Sequence, residues 1–385
     1  MLSSREMRPV TIGLDYRPAL SRMTGVGRYV SGLARALSRL DAENEYILFS
    51  SSLRERAVAD RFPTNFTLVD RKVPVRVLNW AWHRLGWPPL DSLVGRELDI
   101  THSPHPLILP SRRGRTVVTI HDLFFFRHPE MTGAEIRRDY APLVQEHAAR
   151  ADAIIAVSEA TAVDVEQELG VRRDRIHVIH NGLDLAKLSA PPAGENEIAS
   201  RYDLPERFLL FVGTIEPRKN LSKLLEAVKI LVDRDWDGVL LMAGGAGPDD
   251  REFQKAISDF VLDRRVRMLG YVPPSDLSAI YRRAHALVNP SIWEGFGLPP
   301  LEAMACQVPV VVSELPAHRE VAGDAACYVD PEQPVSIADG IERVWSDESL
   351  REKLIAEGSQ RVALFTWDET ARKTLGLYRR LVETV

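Results

Sequence analysis

The pattern of apolar and polar positions predicts short buried strands separated by amphipathic helices. Apolar runs rich in Val, Ile and Leu recur along both halves of the chain. Such runs, without polar alternation, are typical of parallel strands covered on both faces. We therefore predict an α/β protein, with strands over residues 10–14, 46–49, 66–69, 99–102, 116–120, 153–157, 176–179, 208–212, 239–243, 266–269, 286–288 and 308–312.

The length and a repeated strand–loop–helix arrangement indicate two Rossmann-like domains. A chain of 385 residues is too long for one ordinary core. The arrangement at residues 208–232 repeats the one at residues 10–40, and a Pro- and Gly-rich stretch over residues 188–197 predicts a mobile connector. The predicted parts are an N-terminal domain over residues 1–187, a C-terminal domain over residues 188–366 and an amphipathic helix over residues 367–385.

The composition is typical of a soluble globular protein, with 45% apolar and 27% charged residues. The formal net charge of −5 argues against a nucleic-acid-binding protein. No apolar run approaches the roughly 18 residues of a membrane span, and the first residues are too polar for a signal peptide. The two cysteines, Cys306 and Cys327, form neither a metal-ligand pattern nor a disulfide framework. We therefore expect a cytoplasmic protein.

The segment over residues 71–115 departs from this charge balance. It holds eight Lys or Arg against three Asp or Glu, together with Trp80, Trp82 and Trp87. Basic residues interleaved with Trp can dock on an anionic membrane, which would place the protein peripherally on the inner face of the plasma membrane. A solvated loop whose aromatic residues anchor in the core explains the pattern about equally well.

Two carboxylates, Glu294 and Glu302, flank a Gly-rich turn that leads into a helix started by Pro299-Pro300. Free N–H groups at a helix start bind phosphate, and carboxylates accept hydrogen bonds from sugar hydroxyls. The combination indicates a site for a nucleoside diphosphate sugar. The alternative is a solvated Glu beside a turn and a second Glu that stabilises the helix dipole.

The stretch from Ser291 to Glu302, followed by Ala-Met-Ala, resembles the Glu-x7-Glu motif of retaining glycosyltransferases of family 4. This resemblance implies the GT-B fold, in which two Rossmann-like domains face each other across a cleft and a C-terminal helix crosses back to the N-terminal domain. The N-terminal domain would then lie on the acceptor side, and the C-terminal domain would bind the nucleotide sugar. It also implies that Glu294 holds donor hydroxyls and Glu302 binds the ribose. Backbone N–H groups would then contact phosphate and sugar at Phe296, Gly297 and Leu298.

The element Gly213-Thr-Ile-Glu-Pro-Arg-Lys-Asn-Leu221 places Arg218 and Lys219 after a predicted strand. Ligands bind at the carboxyl ends of strands in parallel sheets. Both cations would neutralise a diphosphate and stabilise the leaving group, so no metal is expected; a surface turn is the alternative. Many family members carry an Arg directly after this Gly, where the present chain has Thr214. We assign Thr214 to donor binding and expect Arg218 to compensate for the missing Arg.

A second Gly-rich turn, Met23-Thr-Gly-Val-Gly-Arg-Tyr29, contains Gly25 and Gly27 and opens a helix. It lacks the GxGxxG spacing of NAD-binding proteins and resembles the donor-diphosphate loop of the family's N-terminal domain, although a plain turn is the alternative.

His121 and Asp122 follow a predicted strand of the first half. A core histidine is the alternative for His121, but the resemblance implies that it contacts the donor sugar and lines the reaction centre. Asp122 would orient His121 or take the acceptor proton. Two smaller pieces of the second half fit the family's nucleotide site, namely the glycines Gly244 and Gly245 and the pair Tyr271 and Val272.

These features predict a metal-independent retaining glycosyltransferase without a cofactor. It would transfer a hexose to a saccharide or lipid-linked saccharide acceptor in cell-surface polysaccharide synthesis. The motifs around His121 and Lys219 resemble bacterial mannosyltransferases, so GDP-mannose is the expected donor. UDP- or dTDP-hexoses, an inactive nucleotide-sugar-binding scaffold and a two-Rossmann epimerase remain alternatives; a glycosidase fits least well.

Overall fold

A computed structural model describes residues 8–20, 25–53, 62–245 and 250–383 of the chain. These residues form two compact units. The first comprises Met1–Gly182 and Trp367–Val385, and the second comprises Leu183–Thr366.

The first unit is built on a seven-stranded sheet in which every paired strand is parallel. The strand order is β3-β2-β1-β4-β5-β6-β7, which is the Rossmann order with one additional strand. The strands are β1 (Thr11–Asp15), β2 (Glu45–Ser51), β3 (Phe66–Arg71), β4 (Ile100–Ser103), β5 (Arg115–Ile120), β6 (Ala153–Ala156) and β7 (Ile176–Val178).

Helices on the two faces bury these strands, which explains their uninterrupted apolar runs. The helices between the strands are α1 (Gly25–Leu40), α2 (Val75–Leu85), α3 (Leu90–Val94), α4 (Phe124–Arg127), α5 (Ala141–Arg150) and α6 (Glu159–Leu169). The basic segment over residues 71–115 therefore includes a helix, α2, that the sequence pattern did not predict.

The second unit repeats the arrangement with a six-stranded parallel sheet in the order β10-β9-β8-β11-β12-β13. Its strands are β8 (Leu209–Val212), β9 (Leu240–Ala243), β10 (Val266–Gly270), β11 (Ala286–Asn289), β12 (Val310–Ser313) and β13 (Cys327–Val329). Its helices are α7 (Leu185–Ser189), α8 (Glu195–Arg201), α9 (Leu221–Asp233), α10 (Asp250–Asp259), α11 (Pro274–Arg283), α12 (Leu298–Ala305), α13 (Pro316–Ala322), α14 (Pro334–Ser346) and α15 (Glu348–Val362).

The last helix, α16 (Trp367–Glu383), belongs to the first unit and packs on α1. Gly32 makes this contact possible, because a Cβ atom there would lie 2.2 Å from the Trp367 ring. The Tyr378 hydroxyl lies 2.5 Å from Nδ1 of His102 on β4. The predicted return of the C-terminal helix to the N-terminal domain is confirmed.

The predicted mobile connector over residues 188–197 does not lie between the two units, because the structure places it inside the second unit, where helices α7 and α8 take up half of it. Its mobility stays a prediction. The structural division lies after Gly182 instead of residue 187. Leu183 donates its N–H to the Phe365 carbonyl at 2.9 Å, so the second unit begins there. The carbonyl of Leu188 accepts a hydrogen bond from the Cys306 thiol. The contact of Leu188 fixes the start of the stretch within the second unit.

Candidate active site

The strand order of the second unit reverses between β8 and β11, which are hydrogen-bonded neighbours. Ligands of open α/β sheets bind at such a switch point, outside the carboxyl ends of the strands. The loop after β8 carries Arg218 and Lys219, and the loop after β11 carries Glu294. The topology therefore brings together side chains that are distant in sequence.

Asn220 holds these loops in place. Its φ of 57° is left-handed, a conformation that Asn tolerates better than most residues. Its amide donates to the carbonyls of Pro290 at 3.0 Å and Pro331 at 2.7 Å. The N–H of Ile292 donates to the Arg218 carbonyl at 2.9 Å. These bonds connect the loops after three strands, so the site is preorganised.

Glu294 is the centre of the charged cluster. Nζ of Lys219 lies 2.6 Å from one of its carboxylate oxygens, and Nη1 of Arg218 lies 3.2 Å from the other. Arg218 also donates to Glu216 at 2.9 Å. The side chains of Lys219 and Glu294 are only 7% and 8% exposed. This pair is therefore a buried one, and loss of either partner would leave an uncompensated charge.

The protonation states follow from this geometry. Burial by itself raises the pKa of Glu294, but the charges of Lys219, Arg218 and His318 outweigh it and hold the pKa well below the ordinary value. Burial lowers the pKa of Lys219, and Glu294 opposes that change. Glu294 is thus a carboxylate at neutral pH and a poor proton donor.

His318 on α13 is a site residue that the sequence analysis missed. It is 1% exposed, and Nδ1 lies 2.9 Å from the Ser313 carbonyl, so Nδ1 carries the proton. Nε2 then presents a lone pair and has no hydrogen-bond partner among the described residues. A Cβ atom on Gly297 would lie 3.2 Å from the His318 ring. A lone histidine after a Pro-Ala pair offers no sequence signal of this position.

The predicted donor-binding turn leads into α12. Gly297 has a φ of 96°, which favours glycine. Leu298 is the first residue of the helix and Phe296 packs edge-on against Phe365. The Gly-rich turn and Pro-started helix are confirmed, whereas contacts of these N–H groups with phosphate stay a prediction.

Glu302 lies within α12 and is 1% exposed. It accepts a hydrogen bond of 2.9 Å from the buried hydroxyl of Tyr281. Tyr281 thus orients this carboxylate from the neighbouring helix α11. The contact of Glu302 with a ribose stays a prediction.

Gly244 is required by a close backbone approach. A Cβ atom there would lie 1.9 Å from the Gly213 carbonyl oxygen, so the loops after β8 and β9 could not meet. Among the described residues, no atom lies within 4 Å of a Cβ built on Gly245, and Thr214 is exposed just after β8. After β10, Tyr271 is 49% exposed and Val272 is buried.

The first unit holds the other predicted residues. Nε2 of His121 donates to the Pro104 carbonyl at 3.0 Å, and its ring packs edge-on against Tyr29. Burial lowers the pKa of His121, so the ring is neutral at pH 7. Asp122 accepts from the N–H of Phe124 at 3.2 Å. Pro104 and Tyr29 therefore orient His121, and Asp122 acts on it through charge.

Gly25 is the first residue of α1 and Gly27 is buried in its first turn. The loop positions Met23 and Thr24 lie outside the described residues. Within the described ranges, no group of three or more His, Cys, Asp or Glu side chains could hold a metal ion. None of the described helices is long and apolar enough to cross a bilayer.

The chain is similar in sequence to known proteins. The model of the family "Glycosyltransferase Family 4" matches residues 23–187, and the model "Glycosyl transferases group 1" matches residues 195–361. The O-antigen chain mannosyltransferase B of Escherichia coli is 30% identical over 373 residues, which cover 93% of this chain and 97% of that protein.

Two solved structures share the fold. Sucrose-phosphate synthase from Thermosynechococcus elongatus superposes with a TM-score of 0.76 at 21% identity, over 98% of this chain and 100% of that one. The Anabaena protein Alr3699/HepE, solved in complex with UDP and glucose, gives a TM-score of 0.69 at 18% identity, over 97% and 100% of the two chains. The two Rossmann-like units have the GT-B architecture, and the chain belongs to glycosyltransferase family 4.

Proposed function

We propose that this glycosyltransferase is a retaining, metal-independent hexosyltransferase that moves mannose from GDP-mannose to a saccharide or lipid-linked saccharide. Its place would be the synthesis of cell-surface polysaccharide. The observation that carries the proposal is the buried cluster of Lys219, Arg218 and Glu294 at the switch point of the second unit.

The two cations, Arg218 and Lys219, would stabilise the negative charge of the leaving group. A departing nucleoside diphosphate accumulates negative charge, which preorganised cations stabilise in a site of low dielectric constant. Glu294 and Asn220 hold Lys219 and Arg218 in place before any ligand binds. The start of α12 adds the N–H groups of Gly297 and Leu298 and a favourable dipole for phosphate. This set supplies charge compensation from the protein itself.

The bonding of Glu294 supports retention without a covalent enzyme intermediate. Lys219 and Arg218 engage its two oxygens, and the Ser291 hydroxyl lies 2.8 Å from one of them. A carboxylate so engaged is a weak nucleophile but a good acceptor for a sugar hydroxyl. We assign it the donor-sugar hydroxyls, and we assign His318 Nε2 the same kind of contact.

The donor assignment rests on the relatives. The Escherichia coli relative is named a mannosyltransferase of O-antigen synthesis, which favours mannose. The structural neighbour in complex with UDP and glucose favours a UDP-hexose as the second candidate. Both candidate donors present the same diphosphate to Arg218 and Lys219. They differ only in the base and the sugar, so these two cations do not distinguish them.

A thermal-shift panel of GDP, UDP, ADP, dTDP and their sugar conjugates tests the donor. We expect a selective shift with GDP and GDP-mannose, since a ligand at 100 times its Kd adds about 2.7 kcal/mol to stability. Selectivity for UDP or dTDP would replace the donor and keep the reaction class. No shift with any nucleotide would contradict the proposal.

We also propose peripheral membrane binding, on the inner face of the plasma membrane, through α2 and Trp87, which follows it. The exposed fractions are 57% for Val77, 60% for Trp80, 61% for Leu85 and 65% for Trp87. Arg76 and Arg84 flank Trp80 at helical spacing on either side and are exposed. This surface joins apolar anchors to positive charge, as anionic bilayers require.

Trp82 does not belong to that surface. It is 2% exposed, donates its indole N–H to the Pro88 carbonyl at 2.8 Å and lies beneath the Arg17 guanidinium. The two interpretations of the basic, Trp-rich segment thus apply to different residues. Trp82 is a core anchor, and Trp80 and Trp87 are the proposed membrane contacts.

Sedimentation with vesicles tests the membrane proposal. We expect binding to phosphatidylglycerol vesicles but not to phosphatidylcholine vesicles, with release at high salt. The double variant Trp80→Ser/Trp87→Ser should lower the partition coefficient at least about tenfold, because insertion of these rings supplies apolar burial. Leu364→Ser, which changes an equally exposed residue of the second unit, is the control. Equal binding by the double variant and the control would exclude α2.

A further inference from the structure

Four polar side chains form a hydrogen-bonded chain, here called the polar chain, inside the core of the first unit. The hydroxyl of Tyr29 on α1 lies 3.1 Å from that of Thr119 on β5. The Thr119 hydroxyl also lies 2.8 Å from Nε2 of His102 on β4, and Nδ1 of His102 lies 2.5 Å from the Tyr378 hydroxyl on α16. All four residues are at most 2% exposed. The polar chain thus runs through the core from α1 to the C-terminal helix.

The polar chain is satisfied with a neutral His102. Burial lowers the pKa of His102 to about 3, so the ring carries a single proton at neutral pH. A hydroxyl group can either donate or accept a hydrogen bond. The hydroxyls of Thr119 and Tyr378 therefore complement the ring whichever nitrogen carries the proton. A fully satisfied buried network of this kind holds its members in one arrangement.

The surroundings of the polar chain indicate that it orients side chains. Tyr29 and Tyr378 belong to a core cluster with apolar residues such as Leu14 and Val117. Replacing both partners of a buried hydrogen bond by apolar groups of the same shape costs little or no stability. Packing alone would therefore be served by apolar side chains, whereas hydrogen bonds fix the direction of each group.

The polar chain ends against His121. His102 and Thr119 stand on the neighbouring parallel strands β4 and β5. Two residues further along, the Pro104 carbonyl accepts a hydrogen bond of 3.0 Å from Nε2 of His121. Side chains two residues apart on a strand point to the same face, so Thr119 and His121 both reach Tyr29. The Tyr29 hydroxyl bonds to Thr119, and its ring lies edge-on against that of His121, with centroids 5.0 Å apart.

We propose that the polar chain positions the ring of His121 for glycosyl transfer. The inference rests on the proposed function and on the predicted place of His121 at the reaction centre. The hydrogen bond to Pro104 fixes one edge of the imidazole, and the Tyr29 ring fixes its tilt. The rest of the polar chain holds the Tyr29 hydroxyl, so α16 acts on His121 through Tyr378. The four members are positioning residues that act through His121.

Single-turnover hydrolysis of GDP-mannose and UDP-glucose, combined with NMR of isotope-labelled histidine, tests the polar chain. Thr119→Val keeps the shape of the side chain but removes the hydroxyl that links Tyr29 to His102. We expect turnover to fall about tenfold, because a misplacement of about 1 Å can cost about 100-fold. The ring signals of His121, assigned by their loss in His121→Asn, should shift, while the thermal shift induced by GDP or UDP stays unchanged. Thr119→Ser, which keeps a hydroxyl, should behave like the wild type.

Tyr378→Phe tests the far end of the polar chain. We expect turnover to fall about fivefold, the effect of one lost hydrogen bond, together with a shift of the His121 ring signals. Tyr46→Phe is the matched control, because it removes another buried hydroxyl of the first unit, which donates to Asp41 at 2.6 Å. Its turnover and its His121 signals should match those of the wild type. Melting temperatures show whether each variant is folded.

Equal turnover and equal His121 signals in Thr119→Val, Tyr378→Phe and Tyr46→Phe would overturn the positioning role. Displaced His121 signals with wild-type turnover in the first two variants would overturn it as well. A wild type that hydrolyses neither donor and shows no nucleotide-induced thermal shift would remove the proposed function. The His121 signals of the variants would then still decide whether the polar chain holds this ring.

Discussion

Glu294→Gln is expected to lower turnover more than roughly 100-fold, the usual scale for removing a preorganised transition-state contact. Glutamine keeps the shape of the side chain but removes its charge. Lys219, at 2.6 Å, and Arg218, at 3.2 Å, then lose the carboxylate that holds them. The measurement is hydrolysis of GDP-mannose to GDP and mannose under single-turnover conditions, in which water takes the mannosyl group in place of the saccharide acceptor. Glu332→Gln, at an exposed position of the same unit, is the control.

A folded Glu294→Gln protein with near wild-type turnover would remove Glu294 from the site. The pH dependence gives a second test. Because the folded pKa of Glu294 is depressed, its ionised form contributes stability above the unfolded carboxyl pKa of about 4.3. That contribution is lost as the pH falls further, through the folded pKa. Glu294 should therefore cause no loss of turnover between about pH 5 and pH 7.

Lys219→Ala is expected to reduce turnover by a similar factor, more than roughly 100-fold. The ammonium group is buried next to Glu294, and its removal leaves that carboxylate with Arg218 as its nearest cation. The diphosphate would lose the more buried of its two proposed counter-charges. Lys229→Ala, which removes an exposed lysine from α9, is the matched control. Single-turnover GDP release and the nucleotide-induced thermal shift should both fall in Lys219→Ala alone.

The double variant Lys219→Ala/Glu294→Gln distinguishes a joint role from two independent ones. Residues in direct contact are not additive, so the double variant should lose about as much activity as either single variant. Losses that multiply would mean that each side chain acts on the donor separately. Wild-type turnover in Lys219→Ala would exclude the buried cation from leaving-group stabilisation.

Local sequence patterns were sufficient for most of the fold. A buried parallel strand needs a continuous apolar run and a crossover helix, both of which are local features. The runs at residues 10–14 and 286–288 therefore predicted β1 and β11 closely. At residues 188–197, Pro and Gly predicted a connector between the domains, but the structure places this stretch inside the second unit. Tertiary contacts such as that of the Leu188 carbonyl with Cys306 hold it there, and no local signal reports them.

The sequence by itself determined the α/β class, the Glu-x7-Glu motif and the cationic loop, because strand burial and helix starts depend on neighbouring residues. Only the tertiary structure decided that Lys219 meets Glu294 across 75 positions, since that contact exists only where β8 and β11 pair. The same holds for His318, because only the fold brings its ring, with Nε2 lacking a hydrogen-bond partner among the described residues, next to Gly297. The burial pattern of a strand or helix depends on residues that are close in sequence, whereas a site forms where the topology brings the ends of distant strands together.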